Sequence, residues 1–177
     1  PVHRDADNAL STDVPIVYLG RSGAAGYVLS AATLCRCLSD AKVDVLNAHF
    51  ASGYGTLAAL SGFHPYALSV WGSDVYRFPL KSPVHAALLR HNLNKADVLF
   101  STGHIMAKQV SRYAPTKPVE VTPFGVDTAA FSPALRKDER TLRIGFFKAL
   151  EDIYAPQDLI DAFALLVSDA KLPAAEL

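Results

Sequence analysis

The sequence predicts an α/β fold built on a doubly wound parallel sheet. Short, nearly continuous apolar segments alternate along the chain with segments in which apolar residues recur at helical spacing. Strands that are apolar on both faces are typical of a parallel sheet that helices cover on its two sides. Glycine, proline and small polar residues separate the two kinds of segment, as a chain of alternating strands and helices requires.

The alternation assigns the elements in order. The predicted strands are residues 14–19, 43–48, 66–71, 97–102, 119–122 and 143–147. The predicted helices between the first five strands are residues 27–39, 55–61, 86–95 and 105–113. A last, amphipathic helix should begin near Pro156, since proline suits a first helical turn. Its predicted buried stripe consists of Leu159, Ile160, Phe163, Leu166 and Val167.

Composition and charge argue against several classes of protein. The 177 residues carry 17 basic and 17 acidic side chains, whereas nucleic-acid binding needs a surplus of Lys and Arg. Apolar runs fall far short of the roughly 20 residues that cross a bilayer, and the first residues lack a signal-peptide layout. We therefore expect a cytoplasmic protein. Cys35 and Cys37 are two residues apart in a predicted helix, so we expect neither a disulfide nor a metal site there.

Small and polar residues follow the predicted strands, at the edge where parallel sheets bind ligands. Backbone amides at a helix N-terminus after glycine can hold an anion, because they are unpaired and the helix dipole favours negative charge. Each loop also has a purely structural interpretation, in which Ser73 and Asp74 cap a helix and the glycines only allow turns. The predicted cleft residues in these loops are His49, Gly53, Gly55, Gly72, Ser73, Asp74 and Gly125.

Two other kinds of site have weaker support. Glycines at positions 20, 23 and 26 follow a predicted strand, but their spacing is not GxGxxG and no acidic residue ends the second strand, so NAD is a weak alternative. Asp5 and Asp7 form a DxD pattern in a polar stretch with no strand before it. The histidines lie on separate elements without zinc-like spacing, so we predict no metal.

Four segments, in order, resemble the retaining glycosyltransferases of family 4, whose GT-B fold has two Rossmann-like halves. VTPFGVDTAAFSP (121–133) resembles the family's "PNGVD...F.P" segment, and LSVWGSDV (68–75) resembles its "HG.D" loop. Residues 94–110 are similar to its "ADxVIxxS" strand and helix, and residues 142–163 to the opening of its C-terminal half. Together these segments extend over most of the chain from about residue 43 onward, which is more specific than any one of them.

The resemblance implies a domain organisation. Residues 1–132 would form the N-terminal, acceptor-side domain, the charged and proline-led residues 133–141 a linker, and residues 142–177 the beginning of the C-terminal domain. One strand and one helix are too little for an independent core, so we expect the chain to be incomplete. The family's acidic catalytic motif would lie beyond it, which leaves the catalytic residues unknown and this fragment inactive.

The resemblance also implies the chemistry. Such enzymes transfer a sugar from a UDP- or GDP-linked donor to a glycan or lipid-linked acceptor, with retention and without a metal or other cofactor. Lys148 aligns with the family's basic residue and would contact the donor diphosphate, while Tyr154 replaces its second cation. Trp71 replaces the family's histidine and suits stacking on a sugar face, although it could equally be a core residue. The product would be a bacterial-type surface polysaccharide or lipopolysaccharide.

The segment after Asp74 is locally basic and partly apolar, which favours either peripheral contact with the inner face of a membrane or an ordinary surface helix. Two alternatives to a transferase stay open. One is a sugar-nucleotide epimerase of the same two-domain plan, which would need acidic and histidine residues at the cleft. The other is a Rossmann-like nucleotide-binding domain without catalysis.

Overall fold

A computed structural model describes residues 15–19, 23–133, 142–168 and 175–176. The chain divides into two compact units, Pro1–Gly125 and Val126–Leu177. The predicted domain boundary at residue 132 and the predicted linker stay predictions, and residues 134–141 of that linker lie outside the described residues.

The first unit contains a four-stranded, all-parallel sheet whose strands follow one another in chain order. Its strands are β1 Leu46–His49, β2 Tyr66–Val70, β3 Val98–Ser101 and β4 Val119–Val121. Its helices are α1 Gly23–Leu29, α2 Ala31–Asp40, α3 Gly53–Ser61, α4 Ser73–Tyr76, α5 Pro83–Lys95 and α6 His104–Ser111, with a 3₁₀ turn at Phe78–Leu80. This Rossmann-like α/β arrangement confirms the predicted fold class.

Local sequence explains where the helices begin and end. Helix α5 starts at Pro83, whose fixed φ suits a first turn, and the Ser82 hydroxyl caps it by accepting from the His85 amide at 3.4 Å. Helix α3 stops at Gly62, which adopts a left-handed φ of 65°. The single helix predicted over residues 27–39 is wrong in one respect, because the chain turns at Ser30 and forms two helices there.

The core of the first unit lies between one face of the sheet and helices α3, α5 and α6. The strand register places Ala48, Leu68 and Leu99 side by side, and all three are buried. Leu93 of α5 and Val110 of α6 complete this cluster and are fully buried. Because side chains alternate along a strand, the residues between these positions point to the opposite face of the sheet.

The second unit, Val126–Leu177, is smaller than the first. It contains a two-stranded parallel sheet, β5 Leu142–Arg143 with β6 Ala175–Glu176, a 3₁₀ turn at Asp152–Tyr154 and helix α7 Pro156–Ser168. The strand predicted over residues 143–147 is therefore wrong beyond its first residue. Helix α7 begins at the predicted proline, but none of its described side chains is buried.

The predicted stripe of α7 is only partly confirmed. Leu159, Phe163 and Leu166 are half-buried, whereas Ile160 and Val167 are 51% and 53% exposed. Two short strands offer too little apolar surface to cover a helix of this length.

The first predicted strand is wrong as far as the structure describes it. Residues 15–19 have no strand assignment, and Val17 is 64% exposed; Val14 lies outside the described residues. An apolar run of this length carries no information about its partner, and a segment becomes a strand only when a neighbour accepts its hydrogen bonds.

Candidate functional site

An open cavity of about 290 Å³ lies at the carboxyl ends of the strands in the first unit. Parallel sheets bind ligands at this edge, because the loops that follow the strands converge there. The residues that line it are Asn47, His49, Ser69, Val70, Trp71, Phe100, Ser101, Thr102, Thr122 and Phe124.

The pleat of the sheet explains most of this set, with Val70 and Ser101 as the exceptions, since both are buried at positions of the core face. Along each strand, every second residue faces away from the core, and the register places His49, Ser69 and Phe100 in one row. Moving two residues along the chain from Ser69 and from Phe100 gives Trp71 and Thr102, which also line the cavity. The cavity therefore occupies the face of the sheet opposite to the apolar core.

Aromatic rings form one side of the cavity. The Trp71 and Phe124 ring centroids are 5.1 Å apart at an interplanar angle of 51°, and His49 meets Trp71 edge-on at 5.5 Å. Trp71 is 45% exposed and Phe124 67% exposed, so both present accessible ring faces. Such faces can pack against the flat, apolar side of a ring-shaped ligand.

A hydrogen bond fixes the orientation of the histidine. The Trp71 indole Nε1 donates to His49 Nδ1 at 3.1 Å, so Nδ1 must be unprotonated. The neutral His49 ring therefore carries its proton on Nε2, which can donate to a ligand oxygen. Elsewhere in the cavity, Ser69 Oγ donates to Asn47 Oδ1 at 3.2 Å.

Among the residues that the structure describes, the lining of the cavity carries no charge. Its polar groups are hydroxyls, an amide and one imidazole, and none of the residues that line the cavity is Asp, Glu, Lys or Arg. Such a set can bind hydroxyl groups by hydrogen bonds and a ring by its apolar face, but it offers neither a carboxylate base nor a cation for a phosphate.

Asp74 holds the loops at the edge of the cavity. It is 1% exposed, and its carboxylate accepts from the backbone amides of Ala51 at 2.7 Å, Gly72 at 2.8 Å and Trp71 at 3.1 Å. Ala51 follows β1, whereas Trp71 and Gly72 follow β2, so one side chain joins two neighbouring loops. This geometry supports Asp74 as a positioning residue rather than as the predicted cap of its helix, whose N-cap is Gly72.

Asn92 of α5 supports the first of these loops from beneath. Its amide nitrogen lies 2.9 Å from the Ala51 carbonyl, 3.2 Å from the Ser52 carbonyl and 2.8 Å from Thr56 Oγ1. The side chain is fully buried, and within the described part of the chain its Oδ1 has no hydrogen-bond partner. The loop between β1 and α3 is thus anchored by two buried polar side chains.

The predicted glycines have different roles. Gly72 has a φ of +127°, a conformation that side-chain-bearing residues rarely adopt. A Cβ at Gly53 would overlap the Tyr27 ring, and one at Gly55 would lie 3.3 Å from Leu68 Cδ1. Gly125 has neither a positive φ nor a close neighbour.

The structure brings together only part of the predicted site. His49 and Trp71 line the cavity, whereas Gly72 and the first two residues of α4, Ser73 and Asp74, lie beside it in the chain and are outside the lining. Gly53 and Gly55 belong to the first turn of α3, and Gly125 follows the lining residue Phe124. Lys148 lies in the second unit, where its Nζ is 5.3 Å from the centre of the Tyr154 ring. Its predicted role as a diphosphate ligand stays a prediction.

Sequence reasoning missed most of the lining. The residues that it did not single out are Asn47, Ser69, Val70, Phe100, Ser101, Thr102, Thr122 and Phe124. The alternation within the strands was the signal that could have found most of them, because the buried Leu68 and Leu99 indicate which positions face the other way.

Two tyrosines near α3 have raised pKa values. Burial, followed by the neighbouring Tyr54, raises the pKa of the Tyr27 hydroxyl. Burial alone raises the pKa of Tyr66, whose hydroxyl donates to the Gly55 carbonyl at 3.4 Å. Both groups are therefore neutral hydrogen-bonding partners in the physiological pH range.

Three other kinds of feature were considered in the sequence, namely a metal site, a dinucleotide loop and a membrane span. Within the described ranges, no three His, Cys, Asp or Glu side chains are grouped so that they could hold a metal ion. The glycines at 20 and 26 bracket a loop of which residues 20–22 lie outside the described residues, as do Asp5 and Asp7. Of the helices that the structure describes, none has the length and apolarity to span a bilayer.

Comparison with known proteins identifies the family. Residues 2–103 match the family model described as glycosyl transferase 4-like, which is more than half of the chain and includes β1, β2, β3 and the His49–Trp71 pair. No curated protein matches this chain. The chain belongs to the glycosyl transferase 4-like family.

Proposed function

We propose that this protein transfers a sugar from a nucleotide diphosphate sugar to a glycan or glycolipid acceptor, with retention and without a metal ion. Membership of the glycosyl transferase 4-like family supports the transfer of a sugar in general. The proposal includes a cytoplasmic location at the inner face of a membrane and a part in making a surface polysaccharide or lipopolysaccharide.

One observation carries the assignment of the cavity: it combines accessible aromatic faces with hydroxyl and amide groups and contains no charged residue. A neutral sugar ring offers the matching features, since its C–H face packs on aromatic rings and its hydroxyls both donate and accept. A nucleotide diphosphate would need cations or helix N-termini that the lining lacks. We therefore assign the cavity to the acceptor sugar.

Within this proposal the residues have distinct roles. Trp71 and Phe124 pack against the sugar ring, and Asn47, Ser69 and Thr102 bind its hydroxyls. His49 holds the Trp71 indole by its Nδ1 and presents Nε2–H to an acceptor oxygen. Asp74 fixes the loop from which Trp71 projects. On the donor side, Lys148 meets the negative charge of the departing diphosphate.

The reaction is tested with the intact protein, a panel of UDP-, GDP- and ADP-sugars, and lipid and oligosaccharide acceptors, in the presence of a chelator. We expect release of nucleoside diphosphate that depends on one donor and one acceptor. Conversion of the donor sugar into its epimer without an acceptor would indicate an epimerase instead. Nucleotide binding without turnover of any donor would indicate a binding domain.

Variants of Trp71 test the acceptor assignment. Trp71→Ala removes the ring face, so we expect the acceptor KM to rise about tenfold while the donor KM is unchanged. Trp71→Phe keeps a ring but loses the bond to His49, and we expect it to recover most of the acceptor affinity. Steady-state kinetics with each substrate varied in turn give both constants. An increase in the donor KM alone would place the donor, not the acceptor, in this cavity.

A further inference from the structure

Apolar side chains are exposed where helix α4 passes into α5. We call the surface formed by Tyr76, Arg77, Leu80, Lys81 and Val84 the α4–α5 tip. Leu80 is 78% exposed and Val84 74% exposed, and Tyr76 is 40% exposed. Arg77 and Lys81 lie between them in sequence and are also exposed. Apolar residues this close together and this exposed are characteristic of interaction surfaces.

The tip is anchored to the core and so presents these side chains on a fixed backbone. Pro79 is buried, and Phe78 packs edge-on against His85 with 4.9 Å between ring centroids. Ser82 Oγ lies 2.7 Å from His85 Nδ1, at the N-terminus of α5. Lys81 Nζ lies 6.0 Å from the centre of the Phe78 ring, so its stem runs along the tip while its charge stays accessible.

Helix α6 extends this surface. Gln109 of α6 donates from Nε2 to the Val75 carbonyl of α4 at 3.2 Å, which joins the two helices. Ile105 precedes Gln109 by one helical turn and is 73% exposed. Lys108 and Arg112 are exposed and follow Ile105 at positions i+3 and i+7, so the three residues form one stripe.

Positive charge is concentrated in this part of the chain although the whole protein is neutral. Residues 75–119 contain seven of the 17 basic residues and one of the 17 acidic residues. That acidic residue, Asp97, is paired with His64 at the other end of β3, away from the tip. Lys117 contacts the Ala96 carbonyl beside Asp97, at that other end. The tip and the stripe of α6 carry four exposed cations, namely Arg77, Lys81, Lys108 and Arg112, and are therefore cationic.

We propose that the α4–α5 tip and the adjoining stripe of α6 dock on a lipid bilayer that contains anionic headgroups. Leu80, Val84 and Ile105 enter the boundary between headgroups and acyl chains, and the neighbouring Arg and Lys side chains bind phosphate groups. Interfacial binding combines these two contributions, namely buried apolar area and attraction to anionic lipid. An acidic protein or a nucleic acid would satisfy the cations but leave the apolar side chains in water.

Docking in this way has a consequence for the cavity. The tip begins directly after the loop that contains Trp71 and Asp74, so the same short segment connects the bilayer contact with the edge of the cavity. This arrangement suits an acceptor sugar carried on a membrane lipid. The docking rests on the membrane location that the proposed function includes and names the surface that makes the contact. Vesicle binding is measured without any sugar donor, so the docking and the transfer reaction can fail separately.

Cosedimentation of the intact protein with lipid vesicles tests the electrostatic contribution. We expect binding to vesicles of phosphatidylcholine mixed with phosphatidylglycerol, weak or no binding to phosphatidylcholine alone, and a decrease with added salt. The double variant Arg77→Glu/Lys81→Glu should lower the partition coefficient by about tenfold or more. Arg36→Glu/Lys42→Glu makes the same change in net charge at exposed positions on and just after α2 and should leave binding nearly unchanged.

A second pair of variants tests the apolar contribution. Leu80→Ser/Val84→Ser should lower the partition coefficient by about tenfold without altering net charge. The matched control is Val28→Ser/Leu60→Ser, which removes two exposed apolar side chains from α1 and α3 and should bind like the unaltered protein. Circular dichroism confirms that each variant is folded, and the exposed serine pair provides the test if the charge reversal impairs folding.

Three outcomes would overturn the proposal. Binding to neutral and anionic vesicles alike would exclude a role for the cations. Equal loss from the tip and control variants would show that the contact is not at the tip. Tight binding to a single-stranded nucleic acid or to heparin, without binding to vesicles, would identify the surface as a site for a polyanion instead.

Discussion

At the scale of single residues, Gly72 is the clearest point at which the loop beside the cavity depends on one residue type. Its φ of +127° and ψ of −78° belong to a conformation that residues with a Cβ avoid. We expect Gly72→Ala to lower the free energy of unfolding by about 1–3 kcal/mol. Urea denaturation monitored by circular dichroism measures this change.

Gly103 provides the matched control. It is also the N-cap of a helix that follows a strand, but its φ is −170°, which is ordinary extended backbone, and an added Cβ would meet nothing within 4 Å. Gly103→Ala should therefore cost only the N-cap preference for glycine over alanine, which Gly72→Ala shares, and should destabilise the protein less than Gly72→Ala. Equal destabilisation by the two substitutions would mean that the backbone at Gly72 is not the cause.

Residue chemistry also shows why most of the cavity lining was not predicted. His49 and Trp71 were found because they end strands or align with a family motif, and both line the cavity. Ser69 and Phe100 lie inside strands, where sequence suggests only burial. Their direction depends on the register between strands, and a shift of one residue would have turned them into the core. Pairing between distant segments is not encoded in either segment alone.

At the scale of elements, Asp97 joins the amino-terminal ends of two central strands. Its carboxylate accepts from the Tyr66 amide at 2.6 Å and lies 2.7 Å from His64 Nδ1, while its own amide donates to the Tyr66 carbonyl at 2.8 Å. The hydrogen bond from His64, followed by that from the Tyr66 backbone, lowers the pKa of Asp97 from its ordinary value of 3.8.

The lowered pKa of Asp97 determines how the stability of the fold depends on pH. Because the folded protein holds the Asp97 proton less tightly than the unfolded chain, the ionised carboxylate stabilises the fold. That contribution is complete above the ordinary pKa and is lost as the pH falls through the lowered one. We expect the difference in stability between the unaltered protein and Asp97→Asn to shrink as the pH falls below about 4.

A variant of His64 tests whether its hydrogen bond is what lowers the pKa of Asp97. Removing its ring in His64→Ala should raise the pKa of Asp97 towards 3.8, which an NMR titration of the side-chain carboxyl carbon measures directly. An unchanged Asp97 titration would assign the shift to the Tyr66 amide rather than to the histidine.

Strand prediction succeeded or failed according to context. β2, β3 and β4 lie within about one residue of their predicted ends, because apolar runs between turn residues were also the runs that found neighbours. Residues 15–19 and 144–147 have equally apolar sequences but no strand assignment. Propensity marks segments able to pair, and tertiary contacts decide which of them do.

At the scale of the whole molecule, positive and negative charges are unevenly distributed along the chain although the net charge is zero. The net charge is +0, yet residues 75–119 contain seven of the 17 basic residues and only one of the 17 acidic residues. Such asymmetry produces a local field that orients a protein at an anionic surface without affecting its fold. The proposed docking surface and the uncharged cavity thus divide the first unit into a cationic face and a neutral site.

The second unit contains Lys148, the proposed cation of the donor site. Kinetics can distinguish this role from that of an ordinary surface lysine. Lys148 is exposed and lies over the Tyr154 ring, a contact of about 0.5–1 kcal/mol at most in such a setting. If Lys148 meets the leaving diphosphate, Lys148→Ala should lower kcat/KM for the donor by about 10- to 1,000-fold without changing stability. Steady-state kinetics over a range of donor concentrations measure this.

Two further variants distinguish a contact of Lys148 with the diphosphate from a contact with the Tyr154 ring alone. Lys148→Arg keeps the charge and should recover part of the activity, whereas Tyr154→Leu removes the ring and leaves the cation in place. If the role of Lys148 is only its contact with the ring, Lys148→Ala and Tyr154→Leu will have the same small effect on kinetics. A large loss confined to Lys148→Ala would instead require the cation itself, and a loss in kcat with little change in KM would assign its interaction to the transition state.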